Sequence, residues 1–80
     1  MYVDMRKLVG LNVRRRRMAK HMTQEKFAEK SGFSQQYISD LERGRRNPTV
    51  VSLYELALAL DATPIELLTH VPHEDGSDAS

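Results

Sequence analysis

The feature that most constrains the fold of this chain is the spacing of small and apolar residues between positions 24 and 41. Ala28 is followed four residues later by Gly32 and a further six residues later by Ile38. The small side chain of Ala28 lets a second helix approach closely, and Gly32 ends the first helix because glycine adopts the left-handed conformation without strain. The angle between the helices is filled by apolar side chains, namely Phe27, Ile38 and Leu41. The spacing therefore predicts two helices that cross steeply over a very short turn.

The rest of the sequence carries helix caps every ten to fifteen residues, and no stretch has the alternation of a strand. The clearest cap is Thr63-Pro64-Ile65-Glu66, where a threonine N-cap, a proline at the first helical position and a glutamate form a capping box. We expect five helices, running from about Asp4 to Lys20, from Thr23 to Gly32, from Ser34 to Arg43, from Thr49 to Leu60 and from Thr63 to His70. The sequence predicts an all-α domain over residues 1–72 and an acidic tail, residues 73–80, that we expect to be disordered.

The fourth of these helices carries apolar residues around most of its circumference. One stripe is formed by Val50, Leu53, Leu56, Ala57 and Leu60, and it is widened by Val51, Tyr54 and Leu58. A helix that is apolar on most sides is normally the buried one, so we expect the fourth helix to lie inside the domain.

The charge of the chain is unevenly distributed. The net charge of +1 is the sum of +6 over residues 1–22, +1 over residues 23–48 and −6 over residues 49–80. A domain polarised in this way orients in the field of a polyanion, although a run of charge is also compatible with a plain solvated surface. The chain has no Cys and no apolar run of membrane-spanning length, so we expect no disulfide, no membrane association and a cytoplasmic location.

Catalytic and metal-binding patterns are poorly represented. The sequence has no evident Ser/His/Asp set, paired carboxylates or Gly-rich phosphate loop, so we expect no enzyme activity, no cofactor and no small-molecule ligand. His70 and His73, followed by Glu74 and Asp75, are the nearest approach to a metal site. Because they lie at the edge of the expected tail, we predict no metal site there.

Residues 22–68 resemble the lambda-repressor-like helix-turn-helix family, also called the XRE type. The resemblance rests on TQ-x-x-FA at residues 23–28, YIS-x-LERG at residues 37–44, RNP-T at residues 46–49 and the paired leucines at residues 67–68. It extends from about Val9 to Leu68 and implies a five-helix domain that binds operator DNA as a homodimer. Restriction-modification controller proteins and phage-type repressors are the members that the chain resembles. The chain departs slightly from the family pattern at Asp61, a position where family members commonly have the Gly that ends the fourth helix.

The third helix would then be the one that enters the major groove of DNA, over residues 34–43. With Ile38 and Leu41 facing the core, its outward side chains are the candidates for base contacts: Gln35, Gln36, Ser39 and Asp40. A glutamine side chain can bond bidentately to adenine, and an aspartate can accept from the amino group of cytosine. Two alternatives remain open, namely that the glutamines are ordinary surface residues and that Asp40 holds Arg43 in place.

Residues around this helix are candidates for phosphate contacts that set register without reading sequence. They are Gln24, Tyr37, Arg43, Arg45, Arg46, Asn47 and Arg14. The resemblance assigns a different role to Arg17, which is expected to form a structural ion pair with Glu42.

The final apolar residues suggest self-association. We expect a homodimer on a palindromic operator, with an interface formed by Ile65, Leu68, Val71 and Leu58. The alternative is that these residues close the core of their own domain. A second function compatible with the same scaffold is that of an antitoxin or adaptor whose main role is to bind another protein.

Overall fold

A computed structural model describes residues 4–70 of the chain as a bundle of α-helices, without a strand in that range. The helices are α1 Met5–Ala19, α2 Gln24–Ser31, α3 Gln35–Glu42, α4 Val50–Ala59 and α5 Pro64–Leu68. The predicted all-α, five-helix architecture is confirmed. The proposed tail, residues 73–80, lies outside the described residues, as do residues 71–72, so the domain boundary stays a prediction.

Each helix begins where its capping residue predicts. The N-cap side chain accepts hydrogen bonds from backbone N–H groups of the first turn in all five cases: Asp4, Thr23, Ser34, Thr49 and Thr63. The capping box of α5 is complete, because the Thr63 N–H donates to Glu66 Oε1 at 2.9 Å and the Glu66 N–H donates to Thr63 Oγ1 at 3.2 Å. The bond from Thr63 and the nearby charge of Arg16 hold the pKa of Glu66 below its usual value.

Helix α5 stops at Leu68, shortly before the approximate end at His70 that the sequence predicts. Thr69 is extended, with φ −94° and ψ 128°. The reason lies in α1, where the buried side chain of Asn12 donates from Nδ2 to the carbonyl oxygens of Leu67 and Thr69, both at 2.9 Å. These two carbonyls are thus bound by a residue more than fifty positions away along the chain, and not by a continuing helix.

The core is one cluster to which all five helices contribute. α1 packs on α3 and α5, α2 packs on α3 and α4, and α4 packs on α5. The predicted short turn between α2 and α3 is present, with Gly32 at φ 85°. The buried apolar residues are Val9, Val13, Phe27, Ala28, Ile38, Leu41, Leu53, Leu56, Ala57, Ala59, Leu60 and Leu67.

The prediction that α4 is buried on most sides is wrong. Its covered face carries Leu53, Leu56, Ala57, Ala59 and Leu60, whereas its other apolar residues, Val50, Val51, Tyr54 and Leu58, are exposed by 53–84%. The physical reason is that α4 packs against α2 and α5, and these two helices do not enclose it. Just beyond the end of α4, Asp61 adopts the left-handed conformation, with φ 55°. This conformation agrees with the family resemblance, in which Gly commonly occupies this position.

The approach of α1 to the end of α3 depends on Gly10. A Cβ atom at this position would lie 2.3 Å from the carbonyl oxygen of Leu41 and 3.1 Å from that of Glu42. The obstructing atoms are backbone, so they cannot move aside as a flexible side chain would. Gly10 therefore sets how closely the first helix lies against the third.

We predict that Gly10→Ala lowers the free energy of unfolding by about 1–3 kcal/mol through overpacking against the α3 backbone. Urea denaturation followed by circular dichroism measures the change, and Leu11→Ala, at a half-exposed neighbouring site, is the matched control with little effect. Alanine has the higher helix propensity, so an increase in stability on Gly10→Ala would contradict the close approach.

Candidate nucleic-acid interface

α3 presents its polar side chains outward because its apolar ones are anchored in the core. Ile38 and Leu41 are completely buried, while Gln35 and Gln36 are exposed in the first turn of the helix. Ser39 is partly buried one turn further on. The two adjacent amides thus project from the N-terminal end of a helix that is anchored in the core by its opposite face.

Gln36 and Asp40 are joined on the outer face of α3. The amide nitrogen Nε2 of Gln36 donates to Oδ1 of Asp40 at 3.0 Å. Oδ2 of the same carboxylate lies 3.5 Å from a guanidinium nitrogen of Arg46, in the loop after the helix. The side chain of Asp40 is therefore paired with Arg46 and not with Arg43, the partner named in the alternative that the sequence left open.

Tyr37 connects this group to the body of the domain. Its ring meets the ring of Phe33 edge to face, with centroids 4.7 Å apart, and the guanidinium carbon of Arg46 lies 5.1 Å from its centroid. Partial burial raises the pKa of Tyr37, an effect that the nearby charge of Arg46 opposes. A tyrosine phenol is protonated at neutral pH, so Tyr37 can act as a hydrogen-bond donor.

The ion pair between Arg17 and Glu42 is present and is largely buried, with side-chain exposures of 11% and 3%. Arg17 Nε donates to Glu42 Oε2 at 2.6 Å and Nη2 donates to Oε1 at 3.1 Å, the bidentate geometry that strengthens such pairs. Nη1 of Arg17 donates to the carbonyl oxygen of Met22 at 2.6 Å, and Gln24 Nε2 donates to Glu42 Oε1 at 3.0 Å. Gln24, a candidate phosphate contact, is thus half-buried and already engaged by one amide N–H.

The four consecutive arginines of α1 serve different purposes. Arg15 donates to Asn12 Oδ1 at 3.0 Å, Arg16 lies 3.5 Å from Glu66, and Arg17 holds Glu42. Arg14 is exposed, and among residues 4–70 it has no hydrogen bond or ion pair. Arg14 lies one helical turn from Arg17. Of the four arginines, it is the one whose side chain is available for a phosphate contact.

The loop that follows α3 supplies the remaining candidate phosphate contacts. Gly44 takes a positive φ of 78°, and the Arg45 N–H donates to the backbone oxygen of Asp40 at 2.9 Å, which folds the loop back against the end of the helix. The candidate side chains beside α3 are all exposed: Arg43, Arg45, Arg46 and Asn47. Cationic groups therefore border the C-terminal end of the helix that carries the amides.

The predicted dimer residues that the structure describes lie on α4 and α5, and Leu68 lines a surface depression together with Arg6 and Asn47. Leu58, Ile65 and Leu68 are 60%, 75% and 42% exposed, so they do not close the core, a role that Leu67 fills. Val71 lies outside the described residues. Together with the exposed side of α4, these residues form an apolar surface on α4 and α5, which we call the α4–α5 surface: Val50, Val51, Tyr54, Leu58, Ile65 and Leu68.

The structure describes part of the metal site that the sequence analysis considers and rejects. His70 is described, but His73, Glu74 and Asp75 lie outside the described residues, and within residues 4–70 no three His, Asp or Glu side chains gather as metal ligands would. None of the helices in that range has the length and apolarity of a membrane span. Asn12 is absent from the residues singled out from the sequence, although a polar residue between Val9 and Val13 on the core side of α1 is a detectable sign of a buried hydrogen bond.

Comparison with known proteins identifies the family. The helix-turn-helix family model HTH_3 matches residues 13–68. The uncharacterized HTH-type transcriptional regulator y4dJ of Sinorhizobium fredii is 63% identical over 67 residues, which cover 84% of this chain and 87% of the relative.

Two solved structures have the same architecture. The restriction-modification controller protein C.AhdI from Aeromonas hydrophila is 40% identical with a TM-score of 0.74, over 78% of this chain and 94% of that chain. The biofilm master regulator SinR, solved in complex with DNA, is 29% identical with a TM-score of 0.72, over 76% and 98%. The chain belongs to the helix-turn-helix family of DNA-binding transcription regulators, which are not enzymes.

We predict that the Arg17–Glu42 pair is strongly coupled. Arg17→Met or Glu42→Leu alone should cost about 3–5 kcal/mol, since each leaves a buried charge without its partner, and the double variant should cost less than the two single losses combined. Urea unfolding of the four proteins measures the coupling.

The exposed pair of Lys20 and Asp61, whose charged atoms are 2.7 Å apart, is the matched control. Solvent screens this pair, so the corresponding cycle of alanine variants should show little coupling. Additive losses at Arg17 and Glu42 would show that the buried pair is not a unit.

Proposed function

We propose that this protein is a transcription regulator that binds duplex DNA sequence-specifically, with residues 34–43 lying in the major groove. The observation that carries the proposal is the outward position of Gln35 and Gln36 at the N-terminal end of α3, the part of such a helix that contacts base edges. Membership of the helix-turn-helix family and similarity to SinR, which was solved with DNA, support it. Such a regulator acts where the chromosome is, which is consistent with a cytoplasmic location.

The proposed contacts fall into two groups. Gln35, Gln36 and Ser39 contact the bases directly, and Asp40 lies on the same outward side of α3. Phosphate contacts come from the groups that surround α3: Gln24, Tyr37, Arg43, Arg45, Arg46, Asn47 and Arg14. The support for the second group is the exposure of the loop cations and of Arg14, and the protonated phenol of Tyr37. Phosphate contacts of this kind fix the register of the protein on the duplex, while the base contacts carry its specificity.

The proposed assembly is a homodimer on a palindromic operator. Two copies related by a two-fold axis would place their reading helices about 34 Å apart, one turn of the double helix. The support is the α4–α5 surface, whose apolar side chains remain exposed in a single chain. None of these residues belongs to α3, so a pair formed through them can keep both reading helices for DNA.

Selection of bound duplexes from a random pool, followed by affinity measurements over a range of salt concentrations, tests the function. We expect one enriched half-site and a steep loss of affinity with salt, with a log–log slope of about −0.9 per neutralised phosphate. An antitoxin or adaptor that acts only by binding protein would enrich no sequence and show little affinity for random duplex at any salt.

Two variants distinguish the roles of the contacts. Gln36→Ala should abolish preference at one base pair and leave the salt slope unchanged, because it removes a base contact. Arg45→Ala should weaken binding to all sequences alike and reduce the salt slope by about one phosphate. If Arg45→Ala changed the base preference, or if Gln36→Ala weakened all duplexes equally, the assignment of the two groups would be wrong.

We predict that Ile65→Glu converts the dimer to a monomer by placing two charges at the centre of the two-fold contact. Light scattering at tens of micromolar protein measures the mass, which is 9.2 kDa for one chain. Leu11→Glu is the matched control, because Leu11 is a half-exposed apolar residue of α1 and lies outside the α4–α5 surface. A wild-type protein with the mass of one chain would contradict the dimer.

A further inference from the structure

The carboxylate of Asp40 contacts polar side chains through both of its oxygens. Oδ1 accepts from the Gln36 amide nitrogen at 3.0 Å, and Oδ2 lies 3.5 Å from an Arg46 guanidinium nitrogen. Gln36 and Asp40 are one helical turn apart, the spacing at which helical side chains meet. Within residues 4–70, the neighbouring amide of Gln35 makes no hydrogen bond of this kind. The two adjacent glutamines therefore differ in how firmly their amides are held.

We propose that Asp40 is a positioning residue that orients the amide of Gln36 to read adenine. This inference rests on the function proposed above, and it replaces direct base contact as the main role of Asp40. It also distinguishes the two glutamines, since Gln36 reads its base with an oriented amide and Gln35 does not.

The orientation follows from hydrogen-bond chemistry. An ionised carboxylate accepts hydrogen bonds and cannot donate them, so it selects the orientation in which the Gln36 nitrogen, and not its oxygen, faces Asp40. This bond uses one of the two amide N–H groups and leaves the other, with the carbonyl oxygen, for a base. Adenine offers a matching donor at N6 and acceptor at N7, whereas guanine offers acceptors at both N7 and O6. The held amide therefore favours adenine and disfavours guanine.

The surroundings of Asp40 favour this role over direct reading of a cytosine. Its side chain is only 20% exposed, and neither oxygen is without a partner. Arg46 offsets the negative charge, which would otherwise repel nearby phosphates, and Arg46 is itself held over the ring of Tyr37. To accept from a cytosine amino group, Asp40 would first have to give up one of these contacts.

If Asp40 positions Gln36, then Asp40→Ala should change discrimination between bases without lowering the affinity for random duplex. Without the carboxylate, the Gln36 amide can rotate and exchange its oxygen and nitrogen, so discrimination between bases falls. Affinity for random duplex should stay equal or rise, because a negative charge near the phosphates has been removed. A residue that only supported the fold would weaken both kinds of binding together.

The experiment uses the duplex selected by the wild-type protein, and it concentrates on the base pair whose preference disappears in Gln36→Ala. Four duplexes that differ only at this pair are titrated by fluorescence anisotropy with wild type, Asp40→Ala, Gln36→Ala and the double variant. We expect the wild type to prefer adenine by about tenfold or more, and Asp40→Ala by about threefold or less. In the Gln36→Ala background, Asp40→Ala should cause no further loss of discrimination.

Two controls separate the hydrogen bond from the charge and from folding. Asp40→Asn removes the charge but keeps a carbonyl oxygen for Gln36, so it should discriminate better than Asp40→Ala. The base pair read by Gln35 serves as an internal control, and its preference should not change in either variant. Thermal unfolding should be close to that of the wild type for both variants, because the hydrogen bonds of Asp40 are exposed ones to the side chains of Gln36 and Arg46.

The proposal would be overturned if Asp40→Ala kept the full preference at the Gln36 base pair. It would also fail if Asp40→Ala lost preference at another pair even without Gln36, the result expected if Asp40 read cytosine directly. A wild-type preference for guanine at the Gln36 pair would contradict the assigned amide orientation. In each of these cases the protein still selects a sequence, whereas failure to enrich any sequence would overturn the proposed function itself.

Discussion

The buried pair of Arg17 and Glu42 is the interaction on which the geometry of the reading helix depends. Apolar contacts are not directional, so Ile38 and Leu41 hold α3 in the core without alone determining how it points. The bidentate bond to Arg17, reinforced by Gln24, fixes the C-terminal end of the helix against α1 and α2. Because Gly10 has no side chain, α1 can lie this close to the end of α3. The amides at the other end of α3 consequently project from a rigid support.

The polar residues around α3 form two groups with different consequences. The first, centred on Glu42, is buried and joins helices to one another. The second, centred on Asp40, lies at the surface and links a proposed base contact, Gln36, to a proposed phosphate contact, Arg46. Reading and anchoring residues are therefore connected through a single carboxylate before any DNA is present. This connection reduces the conformational freedom that binding would otherwise remove.

The distribution of the remaining surface follows from how few helices the chain has. Five short helices cover one face of α4 but not both, and Leu58 and Ile65 are left exposed as a result. Cations lie on α1, on α2 and in the loop after α3, and three of the four consecutive arginines form contacts within the domain. The apolar and polar surfaces of this small domain meet at Leu68, which lies beside Arg6 and Asn47.

The number of helices, the residue at which each begins and the outward side of α3 all follow from the amino-acid sequence. These features are local, because an N-cap such as Thr63 bonds to N–H groups two or three residues away and helical periodicity separates Ile38 from Gln36. By contrast, the end of α5, the covered face of α4 and the arginine that Asp40 holds follow from how the helices pack and how the loops run. Each of those outcomes depends on residues distant in the chain or on the path of a loop, as when Asn12 binds the carbonyls of Leu67 and Thr69, and such contacts leave no regular pattern in the sequence.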